Sequence, residues 1–478
     1  MQSAKTEVAA TKASGLTWKH RVGYAAGDAG GVLTLILVGY MTRYITNVLE
    51  VSYGILSVLL LIWNFWDMFN DPIVGTLMDK SFAKSKGDKD KFRPWILASI
   101  PVITIGLVAF FTVPSFLGGI SLVISLFILK IIYEWGYTMM NIAMGSLLGA
   151  MALNDTERAT LSSARGLGSS FGALGGGIII PQVLASLGEN PRGYMIASLI
   201  TAALAGVIIF LHFSWTQERN ASARVVVDDT PENKVKFTDI INVFRKNRAF
   251  LALSLHSVII VFGTFLYSTF NPYMYADVFG DISMMTYTSI ISQVLAISLL
   301  SIAPALTKLM GGTVKVIKNC LALGIILNVA LFVVMLSVDV VPLLFLVISS
   351  IGYGLINMSV QLQWGLVSEA IDYNEYLTGK RTEGAIYGTF SLTRRVGQTI
   401  SQSIGVLMIG WIGYNPELTN QGLTQSDGTT LGIVAMTLIA PAAAAVMSWA
   451  IFTFVWNIND DLRADISAWR IEQAAGKE

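Results

Sequence analysis

Twelve apolar runs, each long enough to supply the roughly 20 residues that a helix needs to cross a bilayer, leave this 478-residue chain little choice of fold. They lie near 22–47, 52–79, 94–114, 118–149, 160–187, 193–214, 247–271, 283–308, 316–337, 341–371, 384–413 and 429–457. In hydrocarbon each backbone N–H and C=O must be satisfied inside its own segment, so such runs are expected to be helical. Composition agrees: 13% of residues are charged, where soluble domains carry about 25%. The expected fold class is therefore an all-α membrane protein with twelve transmembrane helices.

Charge placement orients the chain. If both termini are cytoplasmic, the inside loops collect Lys5 to Arg21, Lys80 to Arg93, Arg219 to Arg248, Lys308 to Lys318, Lys380 and Arg381, and Arg463 to Lys477, while the outside loops hold only Arg192. The longest polar interruption contains VVVDDTPENKVK and has little to bury. It divides the chain into a cytoplasmic N-terminus (1–21), a six-helix bundle (22–214), a cytoplasmic linker (215–246), a second six-helix bundle (247–457) and a tail (458–478). Net charge is +1, which gives no reason to expect a nucleic-acid partner. The lone Cys320 cannot form an internal disulfide, and the polar start has no signal-peptide pattern. Three separated histidines make no metal spacing or catalytic dyad, and no phosphate loop is present. Neither an enzyme nor a resident cofactor is expected.

The polar residues inside apolar runs carry the functional reading. In IWNFWDMFNDPIVGTLMDK, Asp67 and Asp71 are four apart and share a helix face, with Asn64 one turn earlier. Each buried charge would cost roughly 2.5 to 3.5 kcal/mol on insertion scales, and the two repel, so a metal cation or a proton should visit them. In KIIYEWGYTMMNIAMGSL, Tyr137 and Asn141 share a face, Thr138 can lend a hydroxyl to a cation, and Lys130 with Glu134 reads most simply as an ion pair. Arg165 lies about a turn and a half inside the next run, with Arg158 at its edge. Glycines 168, 172 and 176 are spaced for close helix approach. The G-x-S-x-G around Ser170 follows no strand and has no base nearby, so it is not read as a nucleophile elbow. Asp28 is either a packing partner or a cavity residue.

In the second half, Arg394 and Arg395 stand near the centre of a run, where a guanidinium is expected to face a cavity, and Gln398 follows one turn on. Gln361, Gln363 and Trp364 supply hydrogen bonds and a flat face of the kind sugar rings stack on. Asp79, Lys80 and Arg93 flank one inner loop, and Glu369, Asp372, Glu375, Lys380, Arg381 and Glu383 another. These charges suit either a cytoplasmic gate or simple topology.

Taken together, WDMFNDPIVGTLMDK with KFRPWIL, and EAIDYNEYLTGKRTEG continuing to LTRRVGQTIS, resemble the glycoside-pentoside-hexuronide:cation symporter family over nearly the whole chain. The resemblance implies a major facilitator fold of two six-helix bundles and symport by alternating access in a bacterial inner membrane. It implies a cation site at Asp67 and Asp71, beside Thr138, to which the spacing adds Asn64. It further implies sugar ligands at Asn141 and Arg165, and sets Arg395 where the family has a lysine. With Asp28, Tyr137, Gln361, Trp364, Arg394 and Gln398, these form the expected substrate set. Asp79, Lys80, Arg93, Arg158, Asp372, Arg381 and Glu383 form the expected gate. Two sugar-binding carboxylates of the family's melibiose carrier are replaced, by Asn141 and by Gly31 or Val32, which leaves the arginines and favours an anionic, glucuronide-type sugar. A neutral glycoside or pentoside, a lysolipid cargo and a transport-dead sensor are the alternatives. The co-transported ion is H⁺ or Na⁺, with Li⁺ also compatible; no appended regulatory domain is expected, and the functional unit is expected to be a monomer in the lipid bilayer.

Overall fold

The computed structural model describes residues 15–83, 90–153, 155–219, 243–338, 340–379 and 383–475. Its long helices are α1 (Trp18–Val38), α2 (Tyr53–Ala83), α3 (Arg93–Phe110), α4 (Gly119–Met151), α5 (Asp155–Leu187), α6 (Pro191–Trp215), α7 (Arg248–Tyr273), α8 (Met285–Met310), α9 (Thr313–Met335), α10 (Pro342–Thr378), α11 (Glu383–Trp411), α12 (Asp427–Phe454) and α13 (Asp460–Ala475). No strand occurs among the described residues. The expected apolar runs correspond to α1 to α12, and among the described residues ten helices are long and apolar enough to cross a membrane. Helices α2 and α11, which carry the aspartate pair and the arginine pair, are not among those ten. Side-chain caps set several starts: Asn190 accepts from Gly193 N–H (3.0 Å), and Asn247 from Phe250 N–H (2.8 Å).

The chain forms two compact units, Met1–Glu50 with Ile62–Asp228, and Val51–Leu61 with Asp229–Glu478. In the first, α1 lies along α5 at the glycine stripe. A Cβ at Gly168 would collide with the carbonyl oxygen of Ala25, and one at Gly172 with that of Ala29, so the four-residue spacing marks a backbone-to-backbone seam.

The first residues of the expected linker are tied to this unit. Glu218 accepts from the backbone N–H groups of Lys91 (2.9 Å), Phe92 (2.6 Å) and Arg93 (3.2 Å), the otherwise unpaired donors at the start of α3. Arg93 in turn donates through Nη2 to the carbonyl of Phe213 near the end of α6 (2.9 Å). Arg219 pairs with Glu157 (3.2 Å) at the start of α5. Burial pushes the Glu157 carboxyl up, but the Leu153 N–H, the Arg219 charge and the Leu16 N–H together hold it below the ordinary range.

In the second unit α7 packs on α11 and α12, and α9 on α10 and α12. The segment read as a tail contains α13, which docks on this unit: Arg463 meets Glu369 on α10 (2.9 Å), and Trp469 sets its edge to Tyr376 (5.7 Å). Ile466 is buried in a small cluster with Ala249, Tyr373 and Ile458.

The spans that begin with α1 and α7 close in the same way, the first after a further short helical turn at Met41–Arg43. A π-helical turn, Tyr44–Val48 or Met274–Val278, is followed one residue after its cap by a left-handed residue: Glu50 (φ 54°) in one and Gly280 (φ 72°) in the other. Glu50 is the one non-glycine with positive φ among the described residues. An L side chain is disfavoured there, so Glu50→Gly should raise the thermal midpoint of the detergent-solubilised protein, by about 0.5 to 1 kcal/mol of stability after the entropy of the added glycine is counted. A lowered midpoint would show instead that the Glu50 side chain holds the turn.

Candidate functional site

On α2 the apolar side chains divide by face. Phe65 and Phe69 are exposed, Trp63 is buried against Phe110, and the carboxylates Asp67 and Asp71 are half-buried. Facing them, α4 presents Lys130, Glu134 and Thr138 at four-residue intervals. The Thr138 hydroxyl lies 3.4 Å from Asp71 Oδ1. It also accepts from Nδ2 of Asn70 (2.9 Å), a fully buried residue whose carbonyl Oδ1 has no hydrogen-bond partner.

Asn70 is the member of this group that sequence reasoning missed. That reading chose Asn64, one turn before Asp67; Asn64 is half-buried and engaged, whereas Asn70 joins the Asp71–Thr138 contact directly. The available signal was an amide immediately before Asp71 in an apolar helix. Carboxylate, hydroxyl and amide oxygens are the donors that hard monovalent and divalent cations take. The expected Lys130–Glu134 ion pair is present.

One α-helical turn along α4, Asn141 enters a second group. Its Oδ1 accepts from Arg165 Nη2 (3.2 Å), Arg165 Nε donates to Asp28 Oδ1 (3.3 Å), and the Ser169 hydroxyl bonds the other Asp28 oxygen. Asp28 is thus neither a mere spacer nor an isolated ligand: it is the counter-ion of Arg165, brought there by the glycine seam. Ser169, between Gly168 and Gly172 in sequence, was not foreseen. Tyr137 stacks on Tyr133 (6.4 Å between centroids), whose hydroxyl meets Thr34 (2.9 Å). This cluster is electrically balanced, so a positive cavity cannot be argued from Arg165.

The second unit holds a different arrangement. Arg394 on α11 lies over the Trp364 ring of α10 (4.9 Å), and Tyr387 stacks on the same indole (5.8 Å, 23° between planes). The flat face assigned to a sugar ring is therefore partly covered. Arg394 Nε is buried without a hydrogen-bond partner, and no carboxylate among the described residues pairs with this guanidinium. Arg395 and Gln398 are half-buried, Arg395 with a partner; Gln361 is exposed, and Gln363 is buried and donates to the Val360 carbonyl (2.9 Å).

Of the expected gate, Arg93 is committed to Asp90 (2.5 Å) and Phe213, which joins α3 to α6. Lys80 and Arg158 are exposed at helix ends, and Asp372 is half-buried and partnered. Arg381 lies outside the described residues, as do the side chains of Asp79 and Glu383.

Comparison with known proteins gives the family. Residues 23–460 match the family model described as MFS/sugar transport protein. The chain is 27% identical to the "Uncharacterized symporter YjmB" of Bacillus subtilis (strain 168), covering 94% of this chain and 95% of the relative. It is 26% identical to the "Glucuronide carrier protein homolog" of Escherichia coli (strain K12), covering 92% of each. The crystal structure of the nucleoside transporter NupG superposes with a TM-score of 0.60 at 13% identity, over 93% of this chain and all of that one, a likeness of fold alone. With a sugar-transporter model matched from its first helix to its last, the chain belongs to the MFS/sugar transport family, of the glycoside-pentoside-hexuronide:cation symporter type, and is a multi-pass membrane transporter rather than an enzyme.

Proposed function

We propose that this chain is a twelve-span secondary transporter with cytoplasmic termini in a bacterial inner membrane, carrying a hexuronide or glycoside together with H⁺ or Na⁺. One observation carries the coupling: Asp71, the Thr138 hydroxyl and the buried Asn70 amide converge one turn from Asp67. A cation arriving there neutralises charge that is costly in the membrane and thereby favours the sugar-binding form. The bundles at 22–214 and 247–457 are its two moving halves, and the inner charged turns, Asp79 to Arg93 and Asp372 to Glu383, are its gate.

The sugar reading favours an acidic cargo. Arg394 is a guanidinium supported on an indole and lacking a carboxylate among the described residues, which suits a planar oxyanion such as a uronate. The similarity to a glucuronide carrier homolog points the same way. The test is uptake by proteoliposomes of labelled glucuronides, neutral galactosides and xylosides, with Na⁺ and pH varied independently. Glucuronide uptake that rises with one ion, with neutral glycosides failing to compete, is expected. Transport of neutral glycosides untouched by excess glucuronide would transfer the reading to a neutral-sugar symporter.

A further inference from the structure

Lys130 and Glu134 have no part in the cycle just described, yet both are nearly out of reach of solvent, with side-chain exposures of 8% and 12%. The Lys130 ammonium pairs with Glu134 Oε1 and lies 5.8 Å from the Trp63 ring and 5.7 Å from that of Tyr133. Glu134 Oε2 is buried and has no hydrogen-bond partner. Three of the ammonium's neighbours are thus fixed, and two of them are rings whose faces attract a cation.

The register between the two helices extends the picture. Trp63 meets Lys130 and Asp71 meets Thr138 with the same numerical offset, so α2 and α4 run parallel and Asp67 stands level with Glu134. Lys130 is one turn before Glu134 and therefore one turn from the level of Asp67 on the facing helix. The ammonium therefore has two carboxylates to choose from, one on each helix.

We infer that Lys130 is a tethered cation whose allegiance is set by Glu134: held by Glu134 it leaves Asp67 to the travelling ion, and released from Glu134 it occupies Asp67 in that ion's place. The inference rests on the cation-site reading of Asp67 and Asp71. The lysine stem is flexible and its ammonium is a compact point charge, so a swing between carboxylates on adjacent helices requires no backbone movement. Glu134 then acts as a positioning residue that tunes ion affinity through Lys130. The other titratable groups facing the pair are Asp67 on α2 and Tyr133 on α4 itself, with Tyr137 stacked on Tyr133.

The experiment uses the full chain in proteoliposomes, loaded with the best-transported sugar of the panel, with Na⁺ and H⁺ titrated one at a time. Glu134→Gln should raise the half-saturating concentration of the coupling ion about tenfold while moving that of the sugar much less, because a freed ammonium competes with the ion alone. Adding Lys130→Met to that variant should return the value to within about threefold of wild type, with the sugar's half-saturation little moved in either variant, whereas loss of a purely structural ion pair would shift both. If Glu134→Gln does not reach the membrane, Lys130→Met alone serves: Glu134, stripped of its ammonium and level with Asp67, should tighten ion binding about tenfold, and unchanged ion dependence in that variant overturns the inference. A folded Glu134→Gln protein with unchanged ion dependence, or a double variant no better than the single, overturns the inference. Asp71→Asn separates the two levels: ion dependence lost there but indifferent to Glu134 defeats only the tethered-cation idea, whereas ion dependence surviving Asp71→Asn defeats the cation site and this inference with it.

Discussion

Asparagine at both Asp67 and Asp71 should abolish accumulation of sugar against its gradient while leaving exchange of sugar between the two sides of the membrane measurable. An amide needs no counter-charge, so the doubly substituted site no longer draws a cation into the membrane and nothing links ion flow to sugar flow. One charge moving down 100 mV is worth about 2.3 kcal/mol, enough for roughly fifty-fold accumulation; the variant should level off near equality inside and out. Right-side-out vesicles energised by a potential and an ion gradient give the accumulation ratio, and counterflow in the same vesicles shows that the protein is folded. Undiminished accumulation by the double amide would remove the basis of the proposed function.

A second large effect is expected at the seam between α1 and α5. Gly172→Val places a branched side chain where even a single methyl would meet the Ala29 carbonyl, and a backbone atom on a packed helix cannot step aside. Opening the seam also separates Asp28 from Arg165 and leaves two charges without partners, so the cost should exceed about 3 kcal/mol. The measurement is the monodisperse yield and thermal midpoint after detergent extraction, with Gly166→Ala as the internal control. Gly166 is on the same helix, with nothing within 4 Å of an added Cβ, and alanine there should be neutral or stabilising by up to about 1 kcal/mol. Equal behaviour of the two variants would mean that the glycine stripe does not set the helix distance.

What could be read from the chain before its structure, and what could not, divides by the range of the interaction. The helices, the glycine stripe, the Lys130–Glu134 pair and the common face of Asp67 and Asp71 follow from spacings within one helix, and such periodicity is written directly in the sequence. Arg165 and Asp28 are 137 positions apart, and no local pattern announces that one neutralises the other. The same holds for Arg394 lying on Trp364, which changes that indole from an open platform to a support. Asn70 was missed for a different reason: two asparagines, 64 and 70, flank Asp67, and only the facing helix decides which one meets Thr138. Polar composition alone assigned 458–478 to a tail, but Ile466, Trp469 and Arg463 give that segment enough to grip.

The matched helix endings carry a historical consequence. A widened turn closing on a left-handed residue is an uncommon way to stop a helix, and it recurs at corresponding places after Tyr44 and after Met274. Duplication and fusion of a half-length ancestor leave that kind of trace, with backbone shape outlasting the letters that first produced it. In the second such turn glycine takes the left-handed position without strain, and in the first glutamate holds it at a cost.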